Sequence, residues 1–421
     1  MEKERDVLER VYEPRRLLEA WRQVKNNAGA AGIDRMTVKE FDRRKRELFP
    51  EIRQKLIAGT YRFKPARRVL IPKAGSPGKF RKLGIPVVID RIIAQSIHTV
   101  FEEIFDPQFT PYSYGFRQGR SQHQAIRYVR EKVVEGYEWC VSVDLKSFFD
   151  EIPHELILKL IRRSIADERL VTLVARALKA GVIVEGRFEK TTKGTPQGSP
   201  LSPILSNIVL NEMDHELERR GLAYARWADD FVILVKTERS AHRVMERITR
   251  YLQESLGLPV NGEKSEVAKM SAVTFLGFRI YRHKIRVSPE SLEKFKGQLR
   301  ELTHRNNPLS MYMAVRKLNS YLRGWVEYFR IQEGQRLFRL IDQRIRCRLR
   351  VMQLVKWKKP KKLQRIMIKT GFPVWEARRT WVEMDKWRSI YRKEVRMVLC
   401  LKWFRQMGLV FMEDFAPAPT G

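Results

Sequence analysis

Three aspartates are the side chains whose types and spacing point most directly to chemistry. Asp229 and Asp230 are adjacent and lie between two apolar, strand-like runs, so a hairpin would carry both carboxylates to its tip. Asp144 ends another run of this kind. An isolated Asp-Asp pair is most often a polar turn, but three converging carboxylates repel one another and persist where cations hold them together. The context therefore favours a metal-dependent site over a simple turn.

Mg²⁺ is the cation that suits such a site. It prefers oxygen ligands, keeps several waters, and usually takes one or two protein carboxylates together with substrate phosphates. Two such ions about 4 Å apart stabilise both the entering and the leaving oxygen of a phosphoryl transfer. The chemistry that these carboxylates indicate is therefore transfer of a phosphoryl or nucleotidyl group.

Two further segments could bind a phosphate-bearing substrate. Residues 194–203 (Gly-Thr-Pro-Gln-Gly-Ser-Pro-Leu-Ser-Pro) form a rigid loop that exposes backbone and leads into a predicted helix. This loop is either an ordinary helix entry or a platform on which the backbone approaches a ligand. A basic cluster on a proposed hairpin is either a solvated face or a clamp on a triphosphate. The cluster comprises Arg67, Lys73, Lys79, Arg81 and Lys82.

The elements that must position these residues belong to an α+β fold. Apolar periodicity predicts helices over most of residues 1–60, over 87–105, 156–180, 201–220 and 241–256, and almost throughout from residue 289. Strand patterns cover residues 67–72 and 79–85, which could form a hairpin, then 139–144, 224–235 and 273–278. The Asp-Asp turn requires antiparallel strands, which favours α+β over a doubly wound parallel sheet.

The charge of the chain indicates a polyanionic partner. Its 421 residues carry 83 Lys+Arg against 49 Asp+Glu, a formal net charge of +34, and 43% are hydrophobic, so a folded protein is expected. Nucleic acid is favoured, because phosphate neutralisation releases counterions, whereas an anionic membrane is the weaker candidate without an 18-residue apolar run. Three scattered cysteines argue against a disulfide framework or a cysteine zinc site and fit a reducing cytoplasm.

Most of the positive charge lies in the C-terminal third. Residues 286–405 contain 31 basic and 10 acidic side chains. One predicted helix there places a basic stripe opposite a core stripe. The basic stripe comprises Arg336, Arg339, Gln343, Arg346 and Arg350, and the core stripe comprises Leu337, Leu340, Ile341, Ile345 and Leu349. This third is therefore expected to make most of the contacts with the polyanion.

Taken in order, the segments resemble the motifs of reverse transcriptases. Residues 143–150 (Val-Asp-Leu-Lys-Ser-Phe-Phe-Asp) resemble motif A, 194–203 motif B, 226–230 (Arg-Trp-Ala-Asp-Asp) motif C, 256–265 motif D and 275–278 motif E. Residues 29–34, 83–86 with Asp90 and Arg91, and 114–121 resemble signatures of bacterial group II intron-encoded reverse transcriptase/maturases. The resemblance covers roughly residues 15–350, and so many concordant motifs in order make it specific.

The resemblance implies a right-hand polymerase, with fingers and a palm built on an antiparallel sheet, an all-helical thumb and a small C-terminal helical region. The expected parts are an RNA-binding helical extension at 1–65, fingers and palm at 66–282, a thumb or maturase domain at 283–355, and a basic, DNA-binding-like region at 356–421. The implied activity is RNA-directed DNA polymerisation, a two-metal nucleotidyl transfer from a dNTP to a primer 3′-hydroxyl.

The resemblance also implies roles for single residues. Asp144, Asp229 and Asp230 would be the catalytic residues and would hold two Mg²⁺ ions, for which Mn²⁺ could substitute. Lys73 and Arg81 would grip the triphosphate, with Arg67 as a further candidate, and Gln197 would line the nucleotide pocket. Phe149 would reject a 2′-hydroxyl by its bulk, and Lys264 either donates a proton to pyrophosphate or is a surface lysine. The residues expected to contact nucleic acid are Arg117, Arg120, Arg339, Arg346 and Arg350.

Two features depart from the usual pattern of the family. Trp227 replaces the usual tyrosine of motif C, which keeps a flat apolar platform near the primer end but loses the hydroxyl. After residue 356 the chain is rich in tryptophan, which indicates either a DNA-binding region or a small helical core, and no His/Cys nuclease cluster follows. An endonuclease domain is therefore expected to be absent, as in class C introns. These tryptophans are Trp357, Trp375, Trp381, Trp387 and Trp403.

The implied partners are the parent intron RNA, an RNA template with a DNA primer, target DNA and dNTPs, for a monomer or weak dimer. The maturase function would assist splicing and retrohoming. Three alternatives stay open. They are an RNA-binding splicing cofactor that no longer polymerises, a domesticated reverse transcriptase in defence or DNA repair, and an RNA-dependent RNA polymerase, against which Phe149 argues.

Overall fold

The computed structural model describes residues 3–72, 78, 80–196, 198–334, 336–380, 382–383 and 387–415. The chain divides into two compact units, Met1–Leu276 and Gly277–Gly421. The four-part division expected from the sequence is finer than this and stays a prediction. Among the described residues, no helix has the length and apolar character needed to cross a bilayer.

Ten α-helices lie in the described part of the first unit. They are α1 Val7–Val11, α2 Pro14–Asn26, α3 Val38–Ile57, α4 Val88–Phe105, α5 Gln122–Val134, α6 Phe148–Glu151, α7 His154–Ser164, α8 Glu168–Leu178, α9 Ser202–Arg219 and α10 Glu238–Arg250. Apolar spacing explains the burial of α2, whose residues Leu17, Trp21 and Val24 form one stripe that packs on α4.

The sheet that positions the site has the strand order β6-β7-β3-β8 and is antiparallel throughout. Its strands are β3 Trp139–Val143, β6 Ala223–Trp227, β7 Asp230–Val235 and β8 Glu266–Lys269. Val143 pairs with Phe231, so the next residue of the chain, Asp144, leaves the sheet beside the turn between β6 and β7. The antiparallel sheet confirms the predicted α+β class.

A second four-stranded sheet of the first unit has the order β2-β1-β4-β5. Its strands are β1 Ala66–Pro72, β2 Phe80–Ile85, β4 Val182–Val184 and β5 Arg187–Glu189. β1 and β2 form the predicted antiparallel hairpin, while β1 pairs in parallel with β4.

Where the structure describes it, the second unit is helical apart from one hairpin. The hairpin joins β9 Phe278–Tyr281 to β10 Lys284–Val287. The helices are α11 Pro289–Leu302, α12 Met311–Phe329, α13 Arg336–Trp357, α14 Pro360–Lys369, α15 Val374–Arg379, α16 Lys393–Val398 and α17 Leu401–Gln406. Leu340, predicted to be in the core stripe of α13, is instead 51% exposed.

Three sequence-based boundaries are wrong. The helix predicted over 156–180 breaks between α7 and α8, because the side chain of Asp167 accepts from Arg169 N at 3.1 Å and begins a new helix. The helix predicted over 241–256 begins at Glu238 and ends in a π-helical turn, Tyr251–Ser255. The strand predicted over 273–278 forms only at its last residue, where β9 begins.

Candidate active site

A cleft of 1150 Å³ in the first unit gathers side chains from distant parts of the sequence. Its lining includes Arg81 and Lys82 of β2, Phe149 of α6, Asp144 after β3, Asp229 in the turn between β6 and β7, and Asn261 and Lys264. The cleft is large enough for a nucleotide. The structure therefore brings together six of the residues singled out from the sequence, namely Arg81, Lys82, Asp144, Phe149, Asp229 and Lys264.

The carboxylate of Asp144 is held by the loop that precedes β8. Asn261 Nδ2 donates to Asp144 Oδ2 at 3.0 Å, and Lys264 Nζ lies 3.7 Å from the same oxygen. The backbone N–H of Asp144 donates to Ser265 Oγ at 3.1 Å, and its carbonyl accepts from Asn261 N at 2.8 Å. These four contacts fix the position at which the carboxylate enters the cleft.

The segment that contains Tyr114 and Gly115 packs closely against the turn that carries Asp229. Ala228 has a φ of 58°, which lets the chain reverse within two residues. A Cβ on Gly115 would lie 2.3 Å from the backbone nitrogen of Ala228, so only glycine fits there. Tyr114 N also donates to the carbonyl of Arg226 at 2.8 Å. Residues 114–121, which resembled a group II intron signature in the sequence, therefore support the Asp-Asp turn.

A buried charge network braces the same turn from the side of α9. Arg226 and Asp214 are both fully buried, and Arg226 Nε lies 2.9 Å from each carboxylate oxygen of Asp214. One terminal nitrogen of Arg226 donates to Asn207 Oδ1 at 2.9 Å and to the carbonyl of Ala228 at 3.2 Å. Asn207 Nδ2 donates in turn to the carbonyl of Gly115 at 2.9 Å. Arg226 and Asn207 therefore position the turn without lining the cleft.

The three carboxylates interact electrostatically. Burial raises the pKa of Asp229, and the charge of Asp144 raises it further, while the guanidinium groups of Arg226 and Arg81 lower it. Desolvation raises the pKa of Asp230 to about 7, and the charges of Asp229 and Asp144 contribute, although the residue as a whole is exposed to solvent. A bound cation would relieve this repulsion.

The loop of residues 194–203 packs against both α6 and β2. Thr195 N donates to the carbonyl of Phe149 at 2.6 Å, which fixes the backbone of the residue expected to act as a steric gate against a 2′-hydroxyl. Gly198 has a φ of 107°, and a Cβ there would lie 2.3 Å from the carbonyl oxygen of Gly84 in β2. The loop is therefore a close-packed platform rather than a simple helix entry.

The remaining nucleotide-pocket residues have different outcomes. Lys73 and Gln197 lie outside the described residues. Arg67 is turned to the N-terminal loop, where it donates to the carbonyl of Ala31 at 3.0 Å. Phe149 is half-buried and packs edge-on against Phe148, with ring centroids 5.3 Å apart.

Comparison with known proteins identifies the family. The sequence profile of the reverse transcriptase (RNA-dependent DNA polymerase) family matches residues 71–280, and that of the group II intron maturase-specific domain matches residues 292–371. Protein YkfC of Escherichia coli (strain K12) is 35% identical over 321 residues, which cover 66% of this chain and 84% of that protein. The chain belongs to the group II intron reverse transcriptase/maturase family.

Other members and neighbours of this reverse transcriptase are more distant or longer. The group II intron-encoded protein LtrA of Lactococcus lactis subsp. cremoris is 34% identical over 240 residues, 56% of this chain but only 39% of LtrA. Among solved structures, apo telomerase from Candida Tropicalis matches with a TM-score of 0.43 at 15% identity, covering 54% of this chain and 55% of that one. Telomerase from Candida albicans matches at 0.45 and 13%, covering 78% and 68%.

The family assignment confirms the expected right-hand polymerase fold and the expected enzyme, an RNA-directed DNA polymerase. Enzymes of this class use divalent metal ions. Within the described ranges, no three His, Cys, Asp or Glu side chains are grouped as a complete metal-ligand set. Asp144 and Asp229 line the same cleft, however, and hard carboxylate oxygens whose charges repel each other suit Mg²⁺ completed by substrate phosphates.

Five arginines of this reverse transcriptase were predicted to contact nucleic acid, and for Arg117 the structure contradicts that prediction. Its side chain is only 6% exposed, and its donors bind the carboxylate and carbonyl of Asp106 and the carbonyls of Thr110 and Ser113. All five N–H groups are therefore used within the protein. Arg120 lies with its guanidinium 5.9 Å from the ring of Tyr114.

The three predicted arginines of α13 also make contacts within the second unit. Arg339 pairs with Glu413 at 3.1 Å, and Arg346 lies 5.6 Å from the ring of Phe411. Arg350 Nε donates to the carbonyl of Leu399 at 3.0 Å, and burial lowers its pKa. Nucleic-acid contact by these arginines stays a prediction, and Arg350 is the least available of them.

The tryptophans of the C-terminal region divide between core and surface. Trp357 is buried and Trp403 packs against the same core, whereas Trp375 is 65% and Trp387 is 47% exposed. Trp381 lies outside the described residues. Neither expectation for this region, core or DNA-binding surface, accounts for all of them.

Sequence reasoning missed the residues that position the site. Asn261 lay in the motif D segment without a role, and Asp214 and Asn207 were not singled out. A signal for Asp214 was present, because it lies on the same face of α9 as the buried residues Leu210 and Leu217. An acidic residue on a core face needs a cationic partner.

Proposed function

We propose that this reverse transcriptase extends a primer 3′-hydroxyl with dNTPs in the 1150 Å³ cleft, copying an RNA template. The observation that carries the proposal is the convergence of Asp144 and Asp229 with Arg81 and Phe149 on one cleft. Carboxylates for cations, a guanidinium for phosphates and an aromatic ring for the sugar are the groups that nucleotidyl transfer requires.

Asp144 and Asp229 would hold two Mg²⁺ ions, with Asp230 as the third carboxylate of the site. Bound Mg²⁺ supplies Lewis-acid stabilisation of the phosphate charge that develops during nucleotidyl transfer. Asn261 orients the carboxylate of Asp144 through its 3.0 Å hydrogen bond, and the buried Arg226 orients the turn that carries Asp229. Both residues therefore reduce the reorganisation that the site would need during the reaction.

The cationic side of the cleft would hold the triphosphate. Arg81 and Lys82 project from neighbouring positions of β2 and are exposed to the cleft, so they can neutralise phosphate oxygens. Lys264 is 65% exposed and lies 3.7 Å from Asp144, where it could donate a proton to departing pyrophosphate. Phe149 would stand against the sugar and exclude a 2′-hydroxyl by its bulk.

We further propose that the protein binds its parent intron RNA, assists its splicing and acts in retrohoming to target DNA. The match of residues 292–371 to the maturase-specific domain supports this, as does the net charge of +34. A splicing cofactor without polymerase activity is the competing function, and the carboxylates retained in the cleft argue against it.

The experiment is primer extension on an RNA template with Mg²⁺ and dNTPs. Asp229→Asn should reduce extension by about 1000-fold or more, because it removes a charged ligand while keeping the side-chain volume. Glu155→Gln, which makes the same kind of change on an exposed face of α7, should extend as the wild type does. A wild-type protein without metal-dependent extension, or an Asp229→Asn variant with full activity, would refute the proposal.

A further inference from the structure

A second cavity lies at the opposite end of β6 and β7 from the Asp229 turn. Its volume is 580 Å³, and it is bounded by the end of α9, the start of β6, the end of β7 and one face of α10. β7 extends from Asp230 to Val235, which separates this cavity from the catalytic turn by about 17 Å. The two sites are therefore distinct.

The lining of this cavity is strongly basic. Its cationic residues are Arg219, Arg220, Lys236, Arg243 and Arg247, and none of its described lining residues is acidic. We call it the basic cavity. Cations that share one concave surface repel one another, and this arrangement is stable where an anion neutralises them.

Acidic side chains of the described residues neutralise little of this charge. Glu216 alone serves two of the arginines, with its carboxylate 2.8 Å from Arg219 Nε and 2.5 Å from a terminal nitrogen of Arg220. Arg243 and Arg247 lie one helical turn apart on α10 and are exposed, and neither has an ion-pair partner in the part of the chain that the structure describes. At least two guanidinium groups are therefore free to bind a ligand.

The spacing of these groups fits a chain of phosphates better than a single ion. Arg243 and Arg247 are separated by about 6 Å along the helix axis, close to the separation of successive phosphates in a nucleic-acid backbone. The other cations come from α9 and β7, so the positive charge extends across three elements. Planar guanidinium groups bind phosphate oxygens in pairs, which favours an arginine-lined surface for this ligand.

We propose that the basic cavity binds the phosphate backbone of RNA, at a place separate from the catalytic cleft. The inference deepens the proposed function, because it rests on RNA binding by this protein and adds a second point of contact, but it does not depend on polymerisation. With such a site, a structured RNA can stay bound at this end of the palm while the cleft acts on a template.

The test compares two double variants that remove the same charge. Arg243→Gln/Arg247→Gln removes the free cations of the cavity. Arg163→Gln/Arg250→Gln removes two arginines that lie outside it and are ion-paired, to Glu212 at 2.7 Å and to Glu246 at 2.8 Å. Binding of a fluorescently labelled RNA hairpin of arbitrary sequence is titrated against full-length protein over a series of salt concentrations.

The cavity variant should bind the hairpin about tenfold more weakly at low salt, and the slope of log affinity against log salt should become shallower by about 1.5, since two phosphate contacts are lost. The control variant should keep the wild-type slope. Primer extension by the cavity variant should be unchanged, which separates this test from that of the catalytic cleft.

Three results would overturn the inference. The first is a cavity variant with the wild-type affinity and salt slope. The second is an equal loss of RNA binding in both double variants, which would show a general effect of net charge. The third is unchanged RNA binding together with weaker binding of poly-glutamate, which would assign the cavity to an acidic protein partner instead.

Discussion

The buried pair of Arg226 and Asp214 allows a prediction that separates stability from catalysis. Asp214→Asn leaves the guanidinium of Arg226 buried without its counter-charge. Breaking a fully buried pair by removing one partner costs about 3–5 kcal/mol, because the remaining charge is neither solvated nor neutralised. This is a large part of the 5–15 kcal/mol that stabilises a typical domain, so the melting temperature should fall by about 10 °C.

Replacing both partners should be less damaging than replacing one. In Arg226→Met/Asp214→Leu no buried charge remains, and apolar side chains of similar volume can replace a buried ion pair at little cost. The double variant should therefore melt well above Asp214→Asn. It loses the hydrogen bonds from Arg226 to Asn207 and to the carbonyl of Ala228, so the Asp229 turn loses its brace, and primer extension should fall by about 100-fold.

The assay combines thermal unfolding, followed by circular dichroism, with primer extension at saturating dNTP. The same cycle on Arg163 and Glu212, a surface pair whose arginine is exposed, is the control, and each of its variants should change stability by less than about 1 kcal/mol. Additive losses at Arg226 and Asp214 would show that the pair is not coupled. A folded double variant with wild-type extension would show that the turn does not need its brace.

Three further outcomes are expected. Phe149→Ala should raise the ratio of kcat/KM for ribonucleotides to that for deoxynucleotides, and an unchanged ratio would remove Phe149 from the role of steric gate. Burial raises the pKa of Asp90 in the folded chain from 3.8 to about 7, so the folded state disfavours its charged form. The contribution of Asp90 to the free energy of unfolding is therefore fully present below about pH 4, and about 4 kcal/mol of it is lost as the pH rises towards 7. In Asp90→Asn, whose side chain can still accept from Tyr61, the free energy of unfolding measured in urea should not show this decrease. Gly198→Ala should abolish extension, because a Cβ would lie 2.3 Å from the carbonyl oxygen of Gly84, and an active variant would show that the loop can move away from β2.

The sequence was most informative where a local pattern decides the structure. The apolar periodicity of α4 and the strand patterns of β1 and β2 depend on neighbouring residues, and these elements formed as predicted. The meeting of Asp144 with Asp229 was also predictable, since each follows a buried strand of one sheet. The break between α7 and α8 was missed although Asp167 is a local capping signal, and the position of its carboxylate also depends on Leu8 N, far away in the sequence.

The positioning contacts were out of reach for the same reason. Asn261 is adjacent to Asp144 in space but belongs to a loop more than a hundred positions later in the chain. Arg67 and Arg117 were suitable in charge, but their directions are set by backbone carbonyls that the sequence does not reveal. Residue type therefore predicted the chemistry of the site, while the assignment of each cation depended on tertiary contacts.

The interior of the second unit has a practical consequence for shortening this enzyme. One continuous apolar cluster includes Val351 and Leu354 of α13 together with Val395 from much later in the chain, and Trp403 packs against it. Asp342 also accepts from Met412 N and Glu413 N, both at 3.0 Å. A deletion after residue 355 would thus not trim away an independent appendage. It would remove side chains that cover a shared apolar core, and the shortened protein would expose that core and tend to aggregate.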